Sequence, residues 1–281
     1  MFEGRRYTIG LVLLGVTLIT VALVVRQLVF GGNMTTLSEP VSQQFSTSDA
    51  PLIVVETFDG AIEIRTGNTD VVSVIVVRKG SGLTESAAFD ALSKVQVRMT
   101  QEGDTVRVRA WREEGGSKLS NTGASVEVIA PPGSEVHATN SNGNVLSVGI
   151  VGVIDARTSN GSIVLSGVHR PFAAATSNGK IEVSADAEVR AHAETSNGSI
   201  AFTGALTTGY FVTSNGSIRL NLPADAAFSI DAVTTNGAIT CEFPLTGGIQ
   251  NKTRLLGDSS TGHLAWIKAE TSNGKIEIRR K

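Results

Sequence analysis

Thr195-Ser196-Asn197-Gly198-Ser199-Ile200 recurs as Thr158-Ser159-Asn160-Gly161-Ser162-Ile163 and as Thr213-Ser214-Asn215-Gly216-Ser217-Ile218. With Lys after the Gly it appears again at Thr176-Ser177-Asn178-Gly179-Lys180-Ile181 and Thr271-Ser272-Asn273-Gly274-Lys275-Ile276. Looser copies are Asn140-Ser141-Asn142-Gly143-Asn144-Val145 and Thr234-Thr235-Asn236-Gly237-Ala238-Ile239. Successive turn Asn residues are 18, 18, 19, 18, 21 and 37 residues apart, the last gap being about two periods. Such self-similarity is the mark of a stacked repeat, and it outranks any short catalytic motif as a guide to the fold.

Working outward from each Asn, the third and fifth residues on are mostly apolar, for example Ile163 with Leu165 and Ile200 with Phe202. Two and four residues before it stand Thr and Ala, as in Thr176 with Ala174 and Thr195 with Ala193. Alternation with period two on both sides of a tight turn means two strands with one buried face each. The Asn-Gly pairs at 142–143, 160–161, 178–179, 197–198, 215–216, 236–237 and 273–274 are therefore structural turns, with positive φ expected at the glycines. Asp59-Gly60, flanked by Val55, Thr57, Ile62 and Ile64, fits the same frame. A hairpin meander and a one-turn-per-coil stack both satisfy this parity. The small Ala and Thr residues suit a narrow interior, so the expected fold is an all-β solenoid of roughly 18-residue repeats.

Outside the repeat, Tyr7 to Val25 carries no charge and is long enough for a membrane core of about 30 Å. Arg5 and Arg6 precede it, and after Arg26 no Lys or Arg follows until Arg65, a bias that places the N-terminus in the cytoplasm. Leu28-Val29-Phe30 lacks the small residues of a signal cleavage site. The expected organisation is a cytoplasmic tail (1–6), a transmembrane anchor (7–30), a flexible Ser/Thr-rich tether (31–50) and an extracytoplasmic β domain (51–281), that is, a single-pass protein of the cell membrane. Leu83 to Lys94 is read as one decorating helix, with Thr84 as N-cap and Ala88, Phe89 and Leu92 on its apolar face. Val95–Met99 and Val106–Ala110 read as a hairpin around Glu102-Gly103-Asp104.

The serial Thr-Ser-Asn-Gly-Ser-Ile motif resembles that of the bacterial putative-adhesin domain of unknown function. The resemblance covers residues 50 to 281 and implies a β-helix-like fold with an attachment role at the cell envelope. It brings no catalytic residue set.

The 281 residues hold 24 Lys and Arg against 26 Asp and Glu, with no basic stripe, so nucleic acid is not an expected partner. A lone Cys241 excludes an intrachain disulfide framework. His137, His169, His192 and His263 lack the paired spacing of a zinc site, and no phosphate-binding loop is present, so no metal or cofactor is expected. Ser177-x-x-Lys180 and Ser272-x-x-Lys275 match a nucleophile motif that works only on a helix, and both sit in turns. Asn160, Asn197 and Asn215 begin Asn-Gly-Ser sequons that turn chemistry already accounts for. The row two residues after each Asn, Asn144, Ser162, Lys180, Ser199, Ser217 and Lys275, is the candidate binding face, suited to an envelope glycan or a membrane protein. The expected function is a non-catalytic, membrane-anchored adhesin-like module. An envelope sensor or scaffold subunit and a tethered carbohydrate-active enzyme are the alternatives.

Overall fold

The computed structural model describes residues 20–21, 34–67, 70–113, 121–260 and 264–281. Their strands form two twelve-stranded sheets. One continuous apolar core includes residues from Phe45 to Ile278. The repeat supplies this architecture directly. Each copy gives one strand before its Asn-Gly turn to one sheet, such as Ile154–Asn160, and one after it to the other, such as Ile163–Val168.

Equivalent strands pair parallel and in register. Ile163 lies beside Ile181, Ile181 beside Ile200, Ile200 beside Ile218 and Ile218 beside Ile276, giving one buried isoleucine column. On the facing sheet Ala156, Ala174, Ala193 and Phe211 form a second column. Phe211 intrudes among alanines, and its ring packs 5.5 Å from that of Phe202. Gly209 makes this fit: a Cβ there would stand 2.6 Å from the Phe211 ring.

The expected solenoid is corrected. A solenoid winds in chain order, whereas here Ala265–Asn273 lies between Leu206–Asn215 and Phe228–Asn236, and Ile276–Arg280 lies between Ile218–Leu222 and Ile239–Cys241. The sheets also mix pairing directions. Val71–Gly82 runs antiparallel to both Thr35–Ser46 and Asn121–Ala130. The 37-residue gap holds no further repeat. Thr246–Gln250 and Arg254–Asp258 form a hairpin whose second strand pairs antiparallel with Phe228–Asn236.

The expected transmembrane helix and the single-pass localisation are corrected as well. Among the described residues no helix is long and apolar enough to cross a membrane. Most of the segment 7–30 lies outside the described residues, and the two that are described, Thr20–Val21, pair antiparallel with Val41 and Ser42 as a strand. Thr35–Ser46, within the expected tether, is a twelve-residue strand held by Val71–Gly82. Only Leu37 and Phe45 of that strand are buried apolar residues, so its sequence carries little strand periodicity.

The helix spans Glu85–Ser93, and the Thr84 side chain accepts a hydrogen bond from the Ala87 N–H at 3.1 Å. It buries Ala88, Ala91 and Leu92, while Phe89, expected on the apolar face, is 64% exposed. Close approach explains the narrow contact: a Cβ at Gly80 would stand 2.6 Å from the Ala88 carbonyl oxygen, so backbone rather than large side chains meets the strand. The hairpin Val95–Glu102 with Thr105–Arg112 forms as read, with Gly103 at φ 59°.

Candidate functional site

The Thr, Asn and Gly of the repeated turn each have their own contact. The buried Thr donates to the carbonyl of the turn Gly in the neighbouring repeat: Thr176 Oγ1 to Gly161 O at 2.9 Å, Thr195 to Gly179 at 3.1 Å and Thr213 to Gly198 at 2.9 Å. The turn Gly N–H donates the other way, Gly161 to the Asn178 carbonyl at 3.0 Å and Gly198 to that of Asn215 at 3.1 Å. The Asn side chains form a directional amide ladder. Nδ2 donates to the preceding Oδ1 from Asn160 to Asn142, Asn178 to Asn160, Asn197 to Asn178, Asn215 to Asn197, Asn273 to Asn215 and Asn236 to Asn273, all between 2.8 and 2.9 Å. Amides so engaged leave the sequons at Asn160, Asn197 and Asn215 a structural explanation.

The reason for glycine differs from the expected one. Among the seven Asn-Gly turns only Gly143 has positive φ, at 135°; Gly161, Gly179, Gly198, Gly216, Gly237 and Gly274 do not. What requires glycine is stacking. A Cβ at Gly179 would overlap the Gly161 carbonyl oxygen, one at Gly198 that of Gly179, one at Gly216 that of Gly198, one at Gly274 that of Gly216, and one at Gly237 that of Gly274.

Beside this turn row lies a groove of about 510 Å³ on the outer face of the parallel sheet. It brings together Lys180, Ser199, Ser217 and Lys275 of the candidate face. Asn144 and Ser162 stand farther along the row and do not line the groove; the Asn144 Oδ1 accepts the Ser162 N–H at 2.9 Å. The groove is lined by small side chains, apolar at Val164, Val183 and Ala201 and polar at Ser184, Thr203 and Asn221, with Asn221 Nδ2 donating to Thr203 Oγ1 at 3.0 Å.

Charge frames both ends. Lys180 pairs with Glu182 on one side. On the other, Glu277 takes Arg219 Nε at 2.9 Å, Arg279 Nη2 at 2.9 Å and the Lys275 ammonium. Its side chain is only 10% exposed, against 44%, 45% and 53% for Arg219, Arg279 and Lys275. The hydrogen bond from Lys275, reinforced by Arg219 and by the charge of Arg279, outweighs burial and lowers the Glu277 carboxyl to about 2.

Arg219 and Glu277 are 58 residues apart and meet only because the last repeat is inserted next to strand Ile218–Leu222. Their opposite charges at equivalent repeat positions were the one available signal.

The histidines are dispersed. His137 contacts Glu135 at 2.9 Å, His169 Nδ1 meets the Gly167 carbonyl at 2.9 Å, and His192 stacks on Tyr210. His263 lies outside the described residues. Among the described residues no three His, Cys, Asp or Glu side chains gather where a metal ion could be held.

No family model matches the chain, and no curated protein matches it. Solved structures do. A "putative cell adhesion protein" from Clostridium sporogenes is 10% identical, with 86% of this chain and 100% of that one covered and a TM-score of 0.37. A "putative adhesin" from Bacteroides fragilis is 13% identical, with 86% and 97% covered and a TM-score of 0.41. A "putative adhesin" from Parabacteroides merdae is 10% identical, with 85% and 95% covered and a TM-score of 0.27.

Proposed function

We propose that this domain is a non-catalytic binding module that holds an extended ligand across the outer face of its parallel strands, with Lys180, Ser199, Ser217 and Lys275 as the contact row. The observation that carries this reading is the groove itself. It is open, lined by small residues between Lys180 and Lys275, and crosses consecutive strands of an in-register ladder. Ligand groups repeating along a chain can meet side chains repeating along such a stack.

The carboxylates argue against glycoside hydrolysis in the same groove. Glu182 and Glu277 share one row with Ala201 and Arg219 between them, three inter-strand steps, or about 14 Å, apart. A two-carboxylate hydrolase needs about 5 to 9.5 Å. Glu277 is moreover pinned by three cations and ionised down to about pH 2, so it has no proton to give a leaving group at neutral pH.

The test is retention of the protein on immobilised polysaccharides, with release of reducing ends followed in parallel. Retention without turnover is expected, and Ser199→Trp, which fills the groove, weakens it at least tenfold. Unchanged retention in Ser199→Trp would place binding elsewhere, and turnover abolished by Glu182→Gln would replace the module with an enzyme.

A further inference from the structure

We infer that the ligand of this groove is an acidic carbohydrate chain, whose oxyanion docks on the Arg219, Lys275 and Arg279 heads while its hydroxyls meet Ser199 and Ser217. This rests on the reading of the groove as a binding site and names the class of molecule that it selects.

Three cations, Lys180, Arg219 and Lys275, line the groove with one carboxylate, Glu182, and Glu277, which binds Arg219 and Lys275, also holds Arg279 outside the lining. The chain as a whole is slightly acidic, with a formal charge of -2, so the local surplus does not follow from composition. The surplus is concentrated at one end. Glu277 is the shared counter-ion of three cations and lies beneath them, largely shielded from solvent, while their side chains are about half exposed. One carboxylate cannot occupy the donors of two guanidinium groups and an ammonium. Arg219 uses Nε and Arg279 uses Nη2 on Glu277, which leaves further N–H groups of both, those of Arg219 in the groove itself.

A buried acid that gathers cations in this way fixes their heads before any ligand arrives. Fixed donors lose less freedom on binding and favour charge-assisted contacts to carboxylate or phosphate oxygens. Because the Glu277 carboxyl is held near 2, the cluster keeps its arrangement throughout the neutral and mildly acidic range.

The rest of the groove calls for a neutral, hydroxylated partner. No side-chain hydrogen bond engages the Ser199 or Ser217 hydroxyl among the described residues, and both lie on the strip between Lys180 and Lys275. No aromatic residue lines the groove; Val164, Val183 and Ala201 alternate there with Ser184, Thr203 and Asn221, so hydroxyl and amide groups stand among small apolar ones. Lys180 stands three strands, about 14 Å, from Lys275, which lets a second acidic group of the same chain be read at the far end. Uronate carboxylates and backbone phosphodiesters are two oxyanions that such chains carry, and the cluster chemistry accepts either.

The full chain is titrated with polygalacturonate, poly(glycerol phosphate), neutral dextran and poly-glutamate at two salt concentrations. Polygalacturonate or poly(glycerol phosphate) should bind at least tenfold more tightly than dextran and poly-glutamate, and whichever of the two binds tighter identifies the anion. Lys275→Gln should weaken that binding about tenfold and flatten its salt dependence. Lys180→Gln, which leaves the Glu277 cluster intact, should weaken it severalfold. Glu182→Gln should strengthen it, because an acid facing the ligand is removed. Equal binding of dextran and the acidic chains, lost in Ser199→Trp, would overturn the acidic assignment and leave the groove as the site. Acidic-chain binding that is indifferent to Lys275→Gln, Lys180→Gln and Ser199→Trp would overturn both, and so would failure of all four polymers to bind.

Discussion

Two regions of this molecule hold their strands together by different means. In the parallel ladder from Ile154–Asn160 to Leu206–Asn215, each repeat contacts its neighbours through the same set of bonds: Thr hydroxyl to Gly carbonyl, Gly amide to Asn carbonyl, Asn amide to Asn amide. In the antiparallel strands Thr35–Ser46 and Val71–Gly82, twelve consecutive residue pairs align with no repeated side-chain contact of this kind. The ladder is specified at its turns, and the antiparallel pair is specified by its backbone and by a few buried residues such as Val72, Val74 and Val76. Identity between repeats is thus a consequence of stacking in register. A residue that fits between two identical neighbours must fit at every level.

The sharpest way to break this contrast is to add a Cβ where the turns touch. Gly198→Ala puts a methyl group into the Gly179 carbonyl, with backbone on both sides and no flexible side chain to yield, so a loss of about 3 kcal/mol or more is expected in denaturant unfolding. Gly103→Ala in the antiparallel hairpin meets nothing within 4 Å and is opposed only by its left-handed φ of 59°, so it should cost about 1 kcal/mol. Similar losses in the two variants would show that close approach is not what selects glycine in the ladder.

Next in size is Thr195→Val, which keeps the buried volume and strands the Gly179 carbonyl. A destabilisation of about 1–3 kcal/mol is expected, measured by urea unfolding. Asn197→Ala interrupts the amide ladder at an exposed position and should cost about 1 kcal/mol. A further effect, distinct in its pH dependence, concerns Glu277. Its folded carboxyl sits near 2, below the ordinary value of 4.5, so its contribution is complete above about pH 4.5 and is lost as pH falls toward 2. Glu277→Gln should therefore flatten the stability profile between those values, as followed by melting temperature against pH.

The sequence makes the periodic positions legible because stacking imposes them. Ile200, Thr195, Asn197 and Gly198 are each required by a neighbour of the same type. The exchange of the last two repeats is not legible for the same reason: Asn215, Asn236 and Asn273 offer interchangeable turns, and nothing periodic says which stacks on which. Only residues outside the pattern, such as Arg219 and Glu277, record that order. Thr35–Ser46 reads as a tether because only two of its residues enter the core as apolar side chains, while its pairing partner is remote in sequence. Phe89 stays exposed for a local reason: the glycine-lined contact at Gly80 admits Ala88 and Leu92 but leaves a ring outside. The candidate face was partly legible, in that four of its six residues meet in the groove, but the cation cluster that gives the groove its charge required the strand order.

Native-state hydrogen exchange tests most directly the claim that these exposed turns are held as firmly as the core. The amides of Gly161, Gly179, Gly198 and Gly216 each donate to an Asn carbonyl of the next level, and they should exchange with opening free energies within about 1 kcal/mol of those of the buried Ile200 and Ile218 amides. Exchange of those four glycine amides as fast as that of Gly103 in its solvent-facing turn would contradict the account.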